Sequence, residues 1–402
     1  MVDGITTENP KRLYQFIIII GILFIAFNLR PGITAVGPLI GTIRDDIGLA
    51  NWSAGLLTSL PLIAFAIISP IVPRFGKKYT NEWAMVFGLI ILIVGMGIRS
   101  ISVVSFLFAG TILVGLGIAI SNVLLPGVVK DKFPTKVALM TSVYSTTMGT
   151  FAAISSGLSI PFAKGLGWGW QLALFVWAVP AIIALLIWVY LAKKNQSVKD
   201  IKVEQPSTGD GQIWRSPLAW QVALFMGFQS SLFYVTISWL PEILHSNGIS
   251  IAMAGWMLSY TQIIGMPASF LVPVVAGRVK SQRGIVLVLG LFAIGGFSGL
   301  LLNVSNIVTI LSITLIGITL GGSFALALTF LGIRARNARH ASELSGMAQS
   351  IGYSLAAIGP VCIGYLYDVT NTWTVPLTVL IFVSGLVILF GMGAGRDRYV
   401  LQ

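Results

Sequence analysis

The chain has 402 residues, of which 56% are hydrophobic and only 9% charged, where a soluble domain carries about 25% charge. Its mean hydropathy is +0.91. So little water-facing surface excludes a soluble enzyme, a disordered chain and a nucleic-acid-binding protein, and the chain reads as integral to a membrane. One cysteine, Cys362, excludes a disulfide framework or a cysteine-ligated metal, and His245 and His340 alone leave little for a histidine-ligated one. No cofactor, metal or catalytic constellation is expected.

The charges punctuate long uncharged runs. In chain order these are 13–43 (interrupted only by Arg30), 47–73, 83–98, 100–129, 137–163, 165–192, 216–241, 243–277, 284–333, 344–367 and 369–395. A membrane-spanning helix needs about 20 apolar residues, so ten runs each hold one helix. The run 284–333 has room for two, divided at Asn303-Val-Ser-Asn306. The expected fold is therefore all-α, with twelve transmembrane helices, numbered here 1 to 12. The first span is too long for the apolar core of a cleaved leader.

Lysine and arginine set the orientation. With the amino terminus in the cytoplasm, 21 of them fall in inside segments and three, Arg44, Arg99 and Lys164, outside, with Arg30 left in the membrane. Both termini are then cytoplasmic and the protein is a multi-pass protein of a plasma membrane, most simply a bacterial inner membrane.

The hydrophilic stretch 193–217 reads as a cytoplasmic linker between a bundle over 14–192 and a second over 218–395. A repeat supports the division. Ala54-Gly55-Leu-Leu-Thr-Ser59 recurs as Ala254-Gly255-Trp-Met-Leu-Ser259, and Ser69-Pro-Ile-Val-Pro73 as Ser269-Phe-Leu-Val-Pro273, at the same offset of 200 residues. Parallel repeats of six helices place a site between the bundles at mid-depth.

Six plus six helices, a long central loop and basic loops after helices 2 and 8 resemble the major facilitator superfamily of secondary transporters. The superfamily's helix 2–3 signature, roughly G-x-x-x-D-R-x-G-R-K, is kept here at Arg74, Gly76, Lys77 and Lys78. Ser69 and Pro73 replace its first glycine and its aspartate. The resemblance implies a gating loop at these positions, and the missing aspartate argues against a charge-relay latch. Asn28-Leu-Arg30-Pro31-Gly32 is similar to the branch containing bacterial cyanate and 2-nitroimidazole transporters. The helix 5 motif of drug/proton antiporters, G-x-x-x-G-P, is absent from Tyr144–Phe151.

Arg30 is the strongest chemical signal. It lies 17 residues beyond Leu13, roughly 25 Å along a helix. Arginine at a helix centre costs about 2.5–3.5 kcal/mol to insert and usually faces a cavity or a partner. Two readings stand: an anion receptor with planar donors, or a side chain that snorkels outward or ties down carbonyls freed by Pro31 and Gly32. No carboxylate is expected to pair with it. Asp45, Asp46, Glu242 and Asp368 fall at outer helix ends, and Glu82 and Glu343 at inner ones. Proton coupling through a side chain is accordingly disfavoured.

Further candidates for substrate contact are Asn28, Asn122, Gln229, Gln262 and Gln349, whose amides need partners in a dry setting, with interhelical bonding as the competing role. Tyr144, Tyr234 and Tyr353 join them as hydroxyl-bearing rings. Seven tryptophans, Trp83, Trp168, Trp170, Trp214, Trp220, Trp239 and Trp373, sit near helix ends and read as interfacial anchors. Gly115, Gly117, Gly321 and Gly322 on helices 4 and 10 are expected at tight contacts that shift during transport. The expected function is alternating-access transport, not catalysis. The partners are one small anionic or polar solute, with cyanate-like anions or nitro-aromatics implied by the resemblance, and the bilayer; a monomer is expected. The competing readings are an exporter of drug-like compounds or metabolites and a non-transporting receptor or scaffold.

Overall fold

A computed structural model describes residues 9–49, 51–199 and 212–401; most of the linker, 200–211, lies outside the described residues. Among the described residues, eleven helices are long and apolar enough to cross a bilayer. A twelfth, helix 2 over Asn51–Ile68, is apolar over Ser59–Ile68 and carries Pro61. The others begin with helix 1 (Asn9–Asn28, continued by Pro31–Thr34), helix 3 (Asn81–Arg99), helix 4 (Val104–Lys132), helix 5 (Val137–Ile160) and helix 6 (Ala178–Lys199). In the second half come helix 7 (Pro217–Ser246), helix 8 (Ile251–Ala276), helix 9 (Arg283–Leu302), helix 10 (Asn306–Ile333), helix 11 (Ala338–Thr370) and helix 12 (Thr374–Ala394). Only helices satisfy every backbone group of an open chain within hydrocarbon, and among the described residues there is no strand. The division of the long run falls where expected. Asn303 ends helix 9 in the left-handed region at φ 44°, and Ser305 caps helix 10 by accepting from the Val308 amide.

The helices form two six-helix bundles with the same internal packing. In the first bundle helix 3 packs on 4 and 6, helix 2 on 4, and helix 1 on 5 and 6. Adding six to each number gives the second: 9 on 10 and 12, 8 on 10, and 7 on 11 and 12. The contacts between bundles obey the same rule, 2 on 11 matching 8 on 5, and 4 on 11 matching 10 on 5. Glycines allow the close crossings within each bundle. A Cβ on Gly117 would meet the backbone of Gly88 and Leu92 on helix 3, and one on Gly321 would meet the backbone of Gly265 on helix 8. Gly115 abuts Pro61 of helix 2, and Gly322 abuts Val272 and Leu289. All four contacts lie within a bundle and not between the bundles.

Among the described residues, close backbone contacts between the bundles cluster near one end, the end carrying the loop after helix 2. There a Cβ on Gly346 would meet Ser69 and Pro73, and one on Gly277 would meet Ala138. Ser142 donates to the Phe270 carbonyl at 2.5 Å and Ser350 to that of Ala66 at 2.6 Å. Towards the other end of helix 5, Gly149 and Gly157 face open space. The basic end is thus closed by packing between the bundles.

Candidate substrate-binding site

The break in helix 1 positions Arg30. Pro31 has no N–H to continue the helical ladder, so the helix ends at Asn28 and restarts over Pro31–Thr34 with Arg30 at its N-cap position. The guanidinium leaves the helix there and enters a cavity of about 80 Å³ between the bundles. A water takes ~10–15 Å³ in this measure, so the space suits a small solute. Helix 5 contributes Ser145, Gly149 and Ala152, helix 7 Phe233 and Thr236, helix 8 Gln262 and Met266, and helix 10 Leu320 and Phe324.

Two aromatic rings clasp the cation. Arg30 Cζ is 4.5 Å from the centroid of Phe324 and 5.1 Å from that of Phe233. Each such contact is worth about 0.5–2 kcal/mol depending on desolvation. Both rings belong to the second bundle, so the first bundle's cation is gripped across the interface. Among the described residues the guanidinium makes no hydrogen bond or ion pair. Its donors are therefore available to whatever enters.

The nine candidate residues fall in different places. Arg30 and Gln262 line the cavity, and the Gln262 amide makes no hydrogen bond among the described residues. Tyr234 does not line the cavity; its ring packs edge-on against Phe233, with centroids 5.3 Å apart. Asn122, Gln349 and Tyr353 form a cross-bundle contact instead of lining the cavity. Asn122 Nδ2 donates to Gln349 Oε1 at 2.8 Å and to the Tyr353 hydroxyl at 3.3 Å, while Gln349 Nε2 donates back to the Asn122 carbonyl at 3.1 Å. The other three are occupied elsewhere. Asn28 Nδ2 donates to the Phe24 carbonyl of its own helix at 2.6 Å. Gln229 Nε2 donates to the Met226 carbonyl and to Ser230. Tyr144 is buried outside the lining. An amide in a dry helix takes the nearest carbonyl, so the residue type alone did not tell lining from packing.

The cross-bundle contact carries a prediction. Gln349→Leu strands the Asn122 groups in a buried setting, at a cost of about 1–3 kcal/mol. That weakens the closed basic end and is expected to raise the labelling rate of a cysteine placed at Ser345, which is fully buried, by roughly tenfold. An unchanged rate would show that other contacts alone hold this end shut.

The predicted gating loop forms a short helix, Val72–Tyr79. Gly76 sits where a Cβ would strike Asn81 and Leu124, and Pro73 packs against Gly346 of helix 11. Arg74 and Lys78 are exposed, Lys78 over the Tyr79 ring; the side chain of Lys77 lies outside the described residues. The loop meets helix 11 by apolar packing at the position where the signature has an aspartate. Two other expectations change. Arg99, placed by charge counting in an outer loop, is buried at the end of helix 3, where its Nη1 donates to the Gly32 carbonyl at 2.5 Å. Trp170 and Trp373 are also buried rather than interfacial, Trp170 donating to Asp46 and Trp373 stacking on Tyr367. Sequence reasoning missed Phe233 and Phe324 altogether, because nothing marks a phenylalanine as a cation partner in a chain with 22 of them.

The profile of the Major Facilitator Superfamily matches residues 22–360. The chain belongs to that superfamily. This major facilitator protein is a secondary transporter and not an enzyme. It is 47% identical to the "Uncharacterized transporter YycB" of Bacillus subtilis, over 98% of this chain and 97% of that one. It is 41% identical to the "2-nitroimidazole transporter" of Escherichia coli, over 96% and 97% respectively. Identity to the "Cyanate transport protein CynX" of Escherichia coli is 24%, over 88% and 90%. Among solved structures, the transporter FucP in the outward conformation aligns with TM-score 0.72 at 13% identity, covering 95% of this chain and all of that one. The proton:xylose symporter XylE aligns at 0.73 and 13%, covering 97% and 98%. These two show the fold alone.

Proposed function

We propose that this transporter carries a small planar solute bearing a neutral nitro group or an anionic group, held between the bundles by Arg30. The observation that carries the reading is a guanidinium in the inter-bundle cavity, clasped by Phe233 and Phe324 and without a carboxylate partner among the described residues. A nitro or carboxylate group accepts two parallel bonds from such a fork. A flat ring attached to it would continue the stack of aromatic faces. The names of two relatives, a 2-nitroimidazole transporter and a cyanate transport protein, fit the same donor chemistry. An apolar lining with Leu258, Met266 and Leu320 also favours an exporter of apolar compounds, but the size of the cavity favours the smaller solute.

The test is a thermal-shift and uptake screen of purified protein against nitro-heterocycles, carboxylates and cyanate. One class should bind, and Arg30→Ala should abolish that binding. Equal binding by Arg30→Ala would remove Arg30 as anchor.

The orientation belongs to the same proposal: the basic, closed end faces the cytoplasm with both termini and the 193–217 linker, so the cavity opens outward. A cysteine at Ser207, which lies outside the described residues, is expected to react with a membrane-impermeant thiol reagent only after cells are opened. Cys362 is exposed and is first replaced by serine. Labelling in intact cells would invert the topology.

A further inference from the structure

Arg99 is a buried arginine that charge counting mistook for a loop residue. It is 1% exposed, and its Nε and Nη2 have no partner among the described residues. Ionisable groups in membrane proteins are expensive and are retained for function. The one bond Arg99 makes goes to the Gly32 carbonyl, in the break that carries Arg30.

That carbonyl is an orphan. In a continuous helix it would accept from the Val36 amide, but Val36 donates to the Ile33 carbonyl instead. Helix 5 holds the rest of the break: Ser159 donates to the Ala35 carbonyl at 2.9 Å, and Ser155 and Thr34 share a hydrogen bond of 2.7 Å. Thr34 in turn bonds the Arg30 carbonyl at 3.0 Å. Arg99 is the tie from helix 3, and its backbone is set against helix 4 at Gly110, where a Cβ would not fit.

We propose that Arg99 is a positioning residue for the substrate site: by holding the Gly32 carbonyl it fixes the break in helix 1, and so keeps the Arg30 guanidinium between the Phe233 and Phe324 rings. This rests on the reading of Arg30 as anchor. The two arginines then have different needs. The Gly32 carbonyl receives one donor from the Arg99 side chain, which a lysine at 99 can supply; a nitro or carboxylate group at Arg30 takes a planar fork, which lysine lacks.

The test is a double-mutant cycle with 2-nitroimidazole as the probe, on purified full-length protein, with the melting temperature of each empty variant recorded. Arg99→Met is expected to weaken binding about tenfold and Arg99→Lys less than threefold. In an Arg30→Lys background, Arg99→Met should add less than twofold, because its effect passes through Arg30. Additive losses, or unchanged binding by Arg99→Met, would overturn the proposal. If Arg99→Met does not fold, Arg99→Gln, neutral and too short to reach the carbonyl, takes its place in the cycle.

The anchor reading fails separately, if wild-type protein does not bind the probe or Arg30→Lys binds it equally well. The positioning role is then read without substrate, from the thiol-labelling rate of Arg30→Cys in a Cys362→Ser background. Adding Arg99→Met should change that rate at least fivefold, and an unchanged rate overturns the role.

Discussion

Arg30→Lys is expected to weaken substrate binding by roughly tenfold to a hundredfold, the equivalent of about 1.5–3 kcal/mol for a hydrogen bond to a charged group, while the empty protein melts unchanged. Lysine keeps the charge and can still sit over the Phe233 and Phe324 rings, but its compact, strongly hydrated ammonium cannot present two parallel donors. Unchanged melting follows from the wiring of the break. The Arg30 carbonyl already accepts from the Ile33 and Thr34 amides, the Gly32 carbonyl from Arg99 and the Ala35 carbonyl from Ser159. No carbonyl in this group calls on the Arg30 guanidinium. Affinity and apo melting temperature, measured side by side, decide the matter. Intact affinity with lowered melting would make Arg30 a structural tie.

Uptake of a permanently charged substrate into liposomes is expected to persist when the pH difference is collapsed. Side-chain proton coupling needs a group that changes protonation inside the transport path, and among the described residues no carboxylate or histidine lines the inter-bundle cavity. Among the described side chains, the acidic groups nearest the spans are engaged or exposed. Glu82 is bound to Lys132 at 3.1 Å, Glu343 to Arg339 at 2.9 Å, and Asp46 accepts from Trp170 at 2.7 Å. Glu242 is exposed near the end of helix 7. Uptake that collapses with the pH difference and is abolished by Glu242→Gln would make Glu242 the carrier.

Much of the architecture was legible in order and spacing. Uncharged runs of about 20 residues become helices because hydrocarbon offers the backbone no other partner, and that constraint acts on each run locally. The repeat at a 200-residue offset announced the packing that recurs between the bundles. Pro31 and Gly32 announced a break, and an unpaired Arg30 beside it announced a cavity or a partner.

Contacts between distant residues decided the rest. Arg99 looked like a loop charge because it follows an apolar run and precedes Ser100, yet the orphaned Gly32 carbonyl, 67 residues earlier, draws it inward. Asn122 and Gln349, 227 residues apart, looked like substrate ligands and instead bond each other across the closed end. Phe233 and Phe324 carried no signal until folding set them on either side of a cation. Hydropathy and charge are summed over a segment, so a sequence states them outright. The partner of a single polar group depends on which backbone or ring a remote segment brings within a few ångströms, and only tertiary packing fixes that.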